Sequence, residues 1–160
     1  MASNQKNLSD FSTKNTGNVS GKKVGVVVSE WNDQITDALL EGALETLKEQ
    51  GIKREYISVH YVPGSFELTL GAQYLAQKDS IDAVICLGCV IQGETRHFDF
   101  ICDAVAQGIC NVGLKYNKPV IFGVLTTDNQ QQALDRAGGK HGNKGDEAAI
   151  TAVKMLGFHN

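Results

Sequence analysis

Gly88-Cys89-Val90-Ile91-Gln92-Gly93-Glu94-Thr95-Arg96-His97-Phe98-Asp99 follows the apolar run Ala83-Val84-Ile85-Cys86-Leu87 and precedes a helical pattern. That order reads as a strand-to-helix crossover, the place in a parallel sheet where a strand's carboxyl end meets the positive end of a helix. Two glycines let the backbone approach a ligand, and Glu94 and Thr95 can present N–H groups where the helix begins. His97 then stands in the first turn, able to exchange a proton near neutral pH. An anion cradle beside a proton carrier has the chemistry of a catalytic site.

The same alternation runs through the rest of the chain. Val24-Gly25-Val26-Val27-Val28-Ser29 is a short apolar run, as expected of a strand covered on both faces. Asn32 is placed to cap a helix from about Asp33 to Gln50, with Ile35, Leu39, Gly42, Ala43 and Leu47 on its apolar stripe and Gly51 as the stop. A second strand, Ile57 to Val62, ends at Pro63-Gly64, and Ser65 can cap a helix with Leu68, Ala72, Leu75 and Ala76 inward. The third strand is Ala83 to Leu87. The helix after His97 carries Ile101, Cys102, Val105, Ile109 and Val112. Val120 to Leu125 is a fourth strand, with turn and cap at Thr126-Thr127-Asp128-Asn129. Helices follow over about Asn129 to Ala137 and Asp146 to Leu156.

Four strand–helix cycles with apolar strands predict a flavodoxin-like three-layer α/β/α sandwich on a four-stranded parallel sheet. A length of 160 residues favours one domain. Residues 1–20, rich in Asn, Ser, Lys, Thr and Gly with Leu8, Phe11 and Val19 as apolar anchors, read as a flexible N-terminal arm. Residues 21–160 then form the single domain.

A net charge of −3 argues against nucleic-acid and membrane-surface roles. No apolar run approaches the ~20 residues of a membrane span, and the N-terminus lacks the apolar stretch of a signal peptide. A cytoplasmic location is the expectation. The four cysteines fit it as buried reduced thiols. Cys86-x-x-Cys89 invites a zinc or redox reading. Strand residues three apart point to opposite faces, however, and no second Cys/His pair stands at ligand spacing. Cys102 and Cys110 lie roughly 12 Å apart along one helix, too far to bridge.

Ligands of such folds gather beyond the strands' carboxyl ends, and so do this chain's unusual residues. Glu30-Trp31-Asn32 follows strand one, Pro63-Gly64-Ser65-Phe66-Glu67 strand two and the His97 segment strand three, while Phe122 lies on strand four. Trp31 suits either core filling or stacking on a planar heterocycle. Ser65 and Glu67 suit either helix capping or hydrogen bonds to polyol hydroxyls. His60, His141 and His159 lack such a setting and read as structural or exposed. Gly138 to Gly145 imitates a phosphate loop, but it lacks the G-K-[ST] ending and follows a helix. Arg136, Lys140 and Lys144 could still serve a single phosphate.

Six separated motifs in register then carry a resemblance to a known family: Glu30-Trp31-Asn32, Val62 to Glu67, Gly88 to Phe98, Pro119 to Gly123, Arg136-Ala137-Gly138, and Gly142-Asn143-Lys144-Gly145. Over about Lys23 to Leu156 the chain resembles the lumazine synthases, the penultimate enzymes of riboflavin biosynthesis. The resemblance implies condensation of 5-amino-6-(D-ribitylamino)uracil with 3,4-dihydroxy-2-butanone 4-phosphate, giving 6,7-dimethyl-8-ribityllumazine, phosphate and water.

The resemblance also distributes roles. Trp31, which replaces a more usual Phe, would stack on the pyrimidine. Ser65, Phe66 and Glu67 would meet the ribityl side, and Cys89, Val90 and Ile91 the heterocycle through backbone. Phe122 would wall the pocket, with Lys144 also on the pyrimidine side. Glu94, Thr95 and Arg136 would hold the phosphate, and His97 would move protons. No metal or cofactor is implied, and no nucleophilic side chain, which removes the motive for a reactive Cys89.

The resemblance further implies a homo-oligomer with sites between adjacent subunits of a pentamer, Arg136 and Phe122 coming from the neighbouring chain. The short Gly138–Gly142 connection is similar to that of members forming a sixty-subunit icosahedral shell, and riboflavin synthase is a candidate partner. A flavin- or lumazine-binding module without catalysis, and a riboflavin synthase of similar fold, stay open at this point. The joint presence of His97 and Arg136 favours the enzyme.

Overall fold

Every residue of Val24–Ser29 is buried in strand β1, as a strand covered on both faces requires. A computed structural model of the chain describes residues 18–158. Most of the expected arm, with Leu8 and Phe11, lies outside the described residues, as does His159. Val19 is buried against the core.

Around β1 the sheet is completed by β2 (Ile57–Val62), β3 (Ala83–Ile91) and β4 (Val120–Thr127) in the order β2-β1-β3-β4. All three pairings are parallel, as the crossover helices demand. Those helices are α1 (Asp33–Glu49), α2 (Leu68–Ala76) and α3 (His97–Tyr116). Alternation along the strands divides the core. Val24, Val26, Val28, Ile85 and Leu87 share one cluster with Leu39, Leu47 and the last helix, α5 (Lys144–Phe158). Val27, Val84 and Cys86 pack on the opposite face with Leu68, Leu75, Val105 and Ile109 of α2 and α3. The flavodoxin-like three-layer expectation holds. Because β2 and β3 leave β1 on opposite sides, the strand order reverses between β1 and β3, and a crevice opens at their carboxyl ends.

Several local expectations are corrected. β3 continues four residues past Leu87, because β4 keeps pairing with it as far as Ile91 beside Thr127. Gly88 is therefore a strand residue. A Cβ there would come within 2.8 Å of both Leu68 Cδ1 and Ser65 Oγ, so close packing explains the glycine. Ser65 caps no helix: Ser65–Glu67 forms a single 3-10 turn before α2, and the serine hydroxyl makes no capping bond. Asn32 does precede α1, but in the left-handed region (φ 61°, ψ 46°) and without a capping bond from its side chain. At Asn129 the cap is present, its Oδ1 accepting from the Gln132 N–H at 3.0 Å. Gly51 follows α1 with φ 90°, a backbone that suits glycine and ends the helix. Of the cysteines, Cys86 and Cys89 are buried on opposite sides of the sheet, but Cys102 is half-buried and Cys110 exposed.

The largest difference lies after β4. Residues expected in one helix and a loop form the short α4 (Gln130–Asp135), an antiparallel hairpin of β5 (Ala137–Gly139) and β6 (Gly142–Asn143), and then α5, two residues earlier than anticipated. Gly138 and Gly142 supply the positive φ angles of 97° and 85° that so tight a connection needs. Asn143 then ties the hairpin to α1, its Nδ2 donating to the Ala38 carbonyl at 2.9 Å.

Gly145 lets α5 start against α1, since a Cβ there would stand 1.8 Å from the Leu39 carbonyl oxygen. Backbone cannot yield as a side chain does, so Gly145→Ala should destabilise the fold by about 2–3 kcal/mol. Denaturant midpoints at constant slope check this, and an unchanged midpoint would show that α1 and α5 separate freely.

Candidate active site

Three strand-end loops are stitched together at the crevice. The Glu30 N–H donates to the Val62 carbonyl at 2.8 Å and the Trp31 N–H to the Pro63 carbonyl at 3.2 Å, extending the β1–β2 pairing beyond the strands. On the other side the Asn32 side chain donates to the Cys89 carbonyl at 3.0 Å, joining the β1 loop to β3. The left-handed backbone of Asn32 turns its amide toward β3 instead of toward the helix.

The stitched loops enclose an open cleft of about 610 Å³ lined by Trp31, Asn32, Gly64, Ser65, Phe66, Glu67, Cys89, Val90, Ile91, His97 and Ile101. Its size falls within the range of small-molecule sites, roughly 300–1,000 Å³. Eight of the residues singled out in the sequence meet here: Trp31, Ser65, Phe66, Glu67, Cys89, Val90, Ile91 and His97.

Trp31 is 73 % exposed and Phe66 55 %, which rules out core filling for the indole within this chain. Two exposed aromatics at a cleft mouth offer faces on which a flat heterocycle can stack. Gly64 lies between Trp31 and Glu67, whose Oε2 is 3.2 Å from where a glycine Cβ would be. A larger residue would press on that carboxylate. Ser65 lines the cleft, its hydroxyl buried and without a side-chain or backbone partner among the described residues. Cys89 offers backbone but not a nucleophile: burial pushes its thiol up to about 11, and that of Cys86 to about 12.

His97 is the first residue of α3, so Glu94 and Thr95 belong to the loop before it and do not open the helix. Both are exposed, and the Thr95 hydroxyl lies 3.4 Å from the His97 N–H. Nothing crowds Gly93, so backbone approach is unobstructed at that glycine.

Phe122, Arg136 and Lys144 do not line the cleft. Phe122 sits on the edge strand β4 beside Cys86, half-buried on the α2–α3 face. Arg136 follows α4, its Nη2 2.5 Å from Glu147 Oε1 and its Nη1 donating to the His141 carbonyl at 2.8 Å. Lys144 reaches the other Glu147 oxygen at 3.3 Å, and Lys140 pairs with Asp135 at 3.2 Å. Hydrogen bonding from Gln131 and the charge of Lys140 hold the Asp135 carboxyl below its ordinary value.

The sequence reading did not include Asn32, Gly64 and Ile101 among the site residues. Ile101 stands one helical turn after His97, a spacing that could have flagged it. For Asn32, tolerance of left-handed backbone was the available signal, obscured by its capping propensity.

A family model described as 6,7-dimethyl-8-ribityllumazine synthase matches residues 21–160. The chain belongs to the 6,7-dimethyl-8-ribityllumazine synthase family. A protein of that name from Cytophaga hutchinsonii is 66 % identical, with 98 % of each chain covered. Another from Parabacteroides distasonis is 54 % identical over 99 % of both chains. One from Bacteroides fragilis is 57 % identical across 85 % of this chain and 95 % of its own. The lumazine synthase resemblance carried by the six motifs is thus borne out at the level of family.

Proposed function

We propose that the cleft is the ribitylaminouracil half of a lumazine synthase active site, and that a neighbouring copy of the chain supplies the remainder. The activity follows from the family: 5-amino-6-(D-ribitylamino)uracil and 3,4-dihydroxy-2-butanone 4-phosphate condense to 6,7-dimethyl-8-ribityllumazine. One observation carries the division of the site. Trp31, Ser65, Phe66, Glu67 and His97 share one cleft within the subunit, whereas Phe122, Arg136 and Lys144 stand outside it.

In this reading Trp31 stacks on the pyrimidine, Phe66 flanks it, and Ser65 and Glu67 bind ribityl hydroxyls. Backbone of Cys89, Val90 and Ile91 meets the heterocycle edge. Glu94 and Thr95 offer N–H groups to the phosphate, which Arg136 of the next copy grips, while Phe122 and Lys144 of that copy close over the pyrimidine. The pyrimidine's primary amine attacks the ketone and water leaves as an imine forms. Phosphate departs by elimination, and the ribityl-bearing amine closes the ring with loss of water. His97 carries protons between these steps, and holding both substrates together supplies much of the acceleration.

The assembly belongs to the same reading: a ring of five, with the short hairpin favouring closure of rings into a sixty-subunit shell. Riboflavin synthase, which would consume the product, is the candidate partner. Among the described residues no helix is long and apolar enough to cross a membrane; a cytoplasmic location is part of the same proposal. Residues 21–160 form the catalytic unit in this reading.

Arg136→Ala tests the phosphate assignment. It should raise KM for the phosphorylated ketone roughly tenfold or more, since charge-assisted bonds to phosphate are the strong ones. KM for the pyrimidine should change less than about twofold. Steady-state kinetics with each substrate varied in turn decide it, and the reverse pattern would exchange the two subsites.

A further inference from the structure

Glu147 stands in the first turn of α5 with only 15 % of its side chain exposed, and its two oxygens are divided between two cations. Oε1 accepts from Arg136 Nη2 at 2.5 Å and Oε2 from Lys144 Nζ at 3.3 Å. The cations come from different elements, Arg136 from the end of α4 and Lys144 from the first position of α5. Backbone holds the frame around them: the Lys144 N–H donates to the Arg136 carbonyl at 2.8 Å and the His141 N–H to the Asp135 carbonyl at 2.9 Å.

An acidic side chain in a first turn complements the helix dipole, but that role needs no cation at either oxygen. Beside a phosphate subsite, a carboxylate also repels the ligand. The gain that offsets this is alignment. An arginine that must order itself to grip an anion loses rotamer freedom on binding. Here Glu147 and the His141 carbonyl have already fixed the guanidinium, and its five N–H donors leave some over for a phosphate.

We infer that Glu147 is a positioning residue that aligns Arg136 and Lys144 for the two substrates and acts through them without touching either substrate. One oxygen serves the cation assigned to the phosphate and the other the cation assigned to the pyrimidine, so a single carboxylate couples the two subsites. The inference rests on the roles given above to Arg136 and Lys144.

The test is Glu147→Gln, which keeps the shape and removes the charge, made in the native chain and in Arg136→Ala. In the native background KM for the phosphorylated ketone should rise roughly tenfold, as expected for losing a charged hydrogen bond. In the Arg136→Ala background the same change should alter that KM less than about twofold, because nothing remains to be positioned. Equal effects in both backgrounds, or none in the native one, would overturn the inference. If Arg136→Ala itself leaves this KM unchanged, the phosphate assignment fails and the inference with it, which separates the two failures. Should the Gln variant not assemble, Glu147→Asp, with the charge kept and the reach shortened, should show the same rise; native kinetics in that variant would count against the positioning role.

Discussion

Replacing His97 by alanine should slow lumazine formation by roughly 10²–10⁴-fold, the range for a positioned proton-transfer group. Spontaneous condensation of the two substrates sets a floor that narrows the observed loss. The ring is exposed at the start of α3 and lines the cleft, so its removal takes little packing from the core. Assembly and thermal midpoint should therefore stay near those of the native chain while kcat falls. The other nearby candidates are weaker. Cys89 holds its proton, with a thiol pushed up to about 11 by burial, and Glu67 is the residue proposed above to bind ribityl hydroxyls. Turnover at both substrates saturating is the measurement, and a native rate in His97→Ala would remove the histidine from the mechanism.

The sheet was legible because its inner strands, β1 and most of β3, are buried on both faces and read as unbroken apolar runs, Val24–Ser29 being the clearest. The cleft was legible for a related reason: at a reversal of strand order ligand-facing residues need no core periodicity, so Trp31 and His97 stood out against it. Boundaries were harder. Gly88 looked like a residue that lets the backbone approach a ligand, yet it is a strand position kept small by Leu68 and Ser65. A glycine that avoids a clash and one that admits a ligand are the same letter. Asn32 misled similarly, because capping propensity is local while its side chain donates across to the Cys89 carbonyl. The β5–β6 hairpin is too short for alternation to register. The Arg136–Glu147 pair escaped notice because its members are eleven residues apart, a spacing that means something only once the hairpin folds them together. Lys144, three residues before Glu147, lay outside a helix expected to begin at Asp146.

At ketone phosphate well below its KM, mixing His97→Ala chains with Arg136→Ala chains should give more activity than either variant shows alone. If one copy contributes the cleft with His97 and the next contributes Arg136, cyclic symmetry repeats that junction around the ring. A ring assembled at random from equal amounts then has both native groups at about one junction in four. Recovery should approach a quarter of native kcat/KM, against roughly a tenth for the Arg136 variant alone and a hundredth or less, on the order given above, for the His97 variant. The chains must be unfolded and reassembled together, with mass in solution verifying co-assembly. That mass also separates a free pentamer from a megadalton shell. A site built within one chain predicts a different result, because every subunit would lack either the histidine or the arginine whatever its neighbours carry. Co-assembled particles with no recovery would therefore overturn the shared site. Recovery would explain why Trp31 and Phe66 are left so exposed on the single subunit: each would be half of a pocket whose other wall is the next copy.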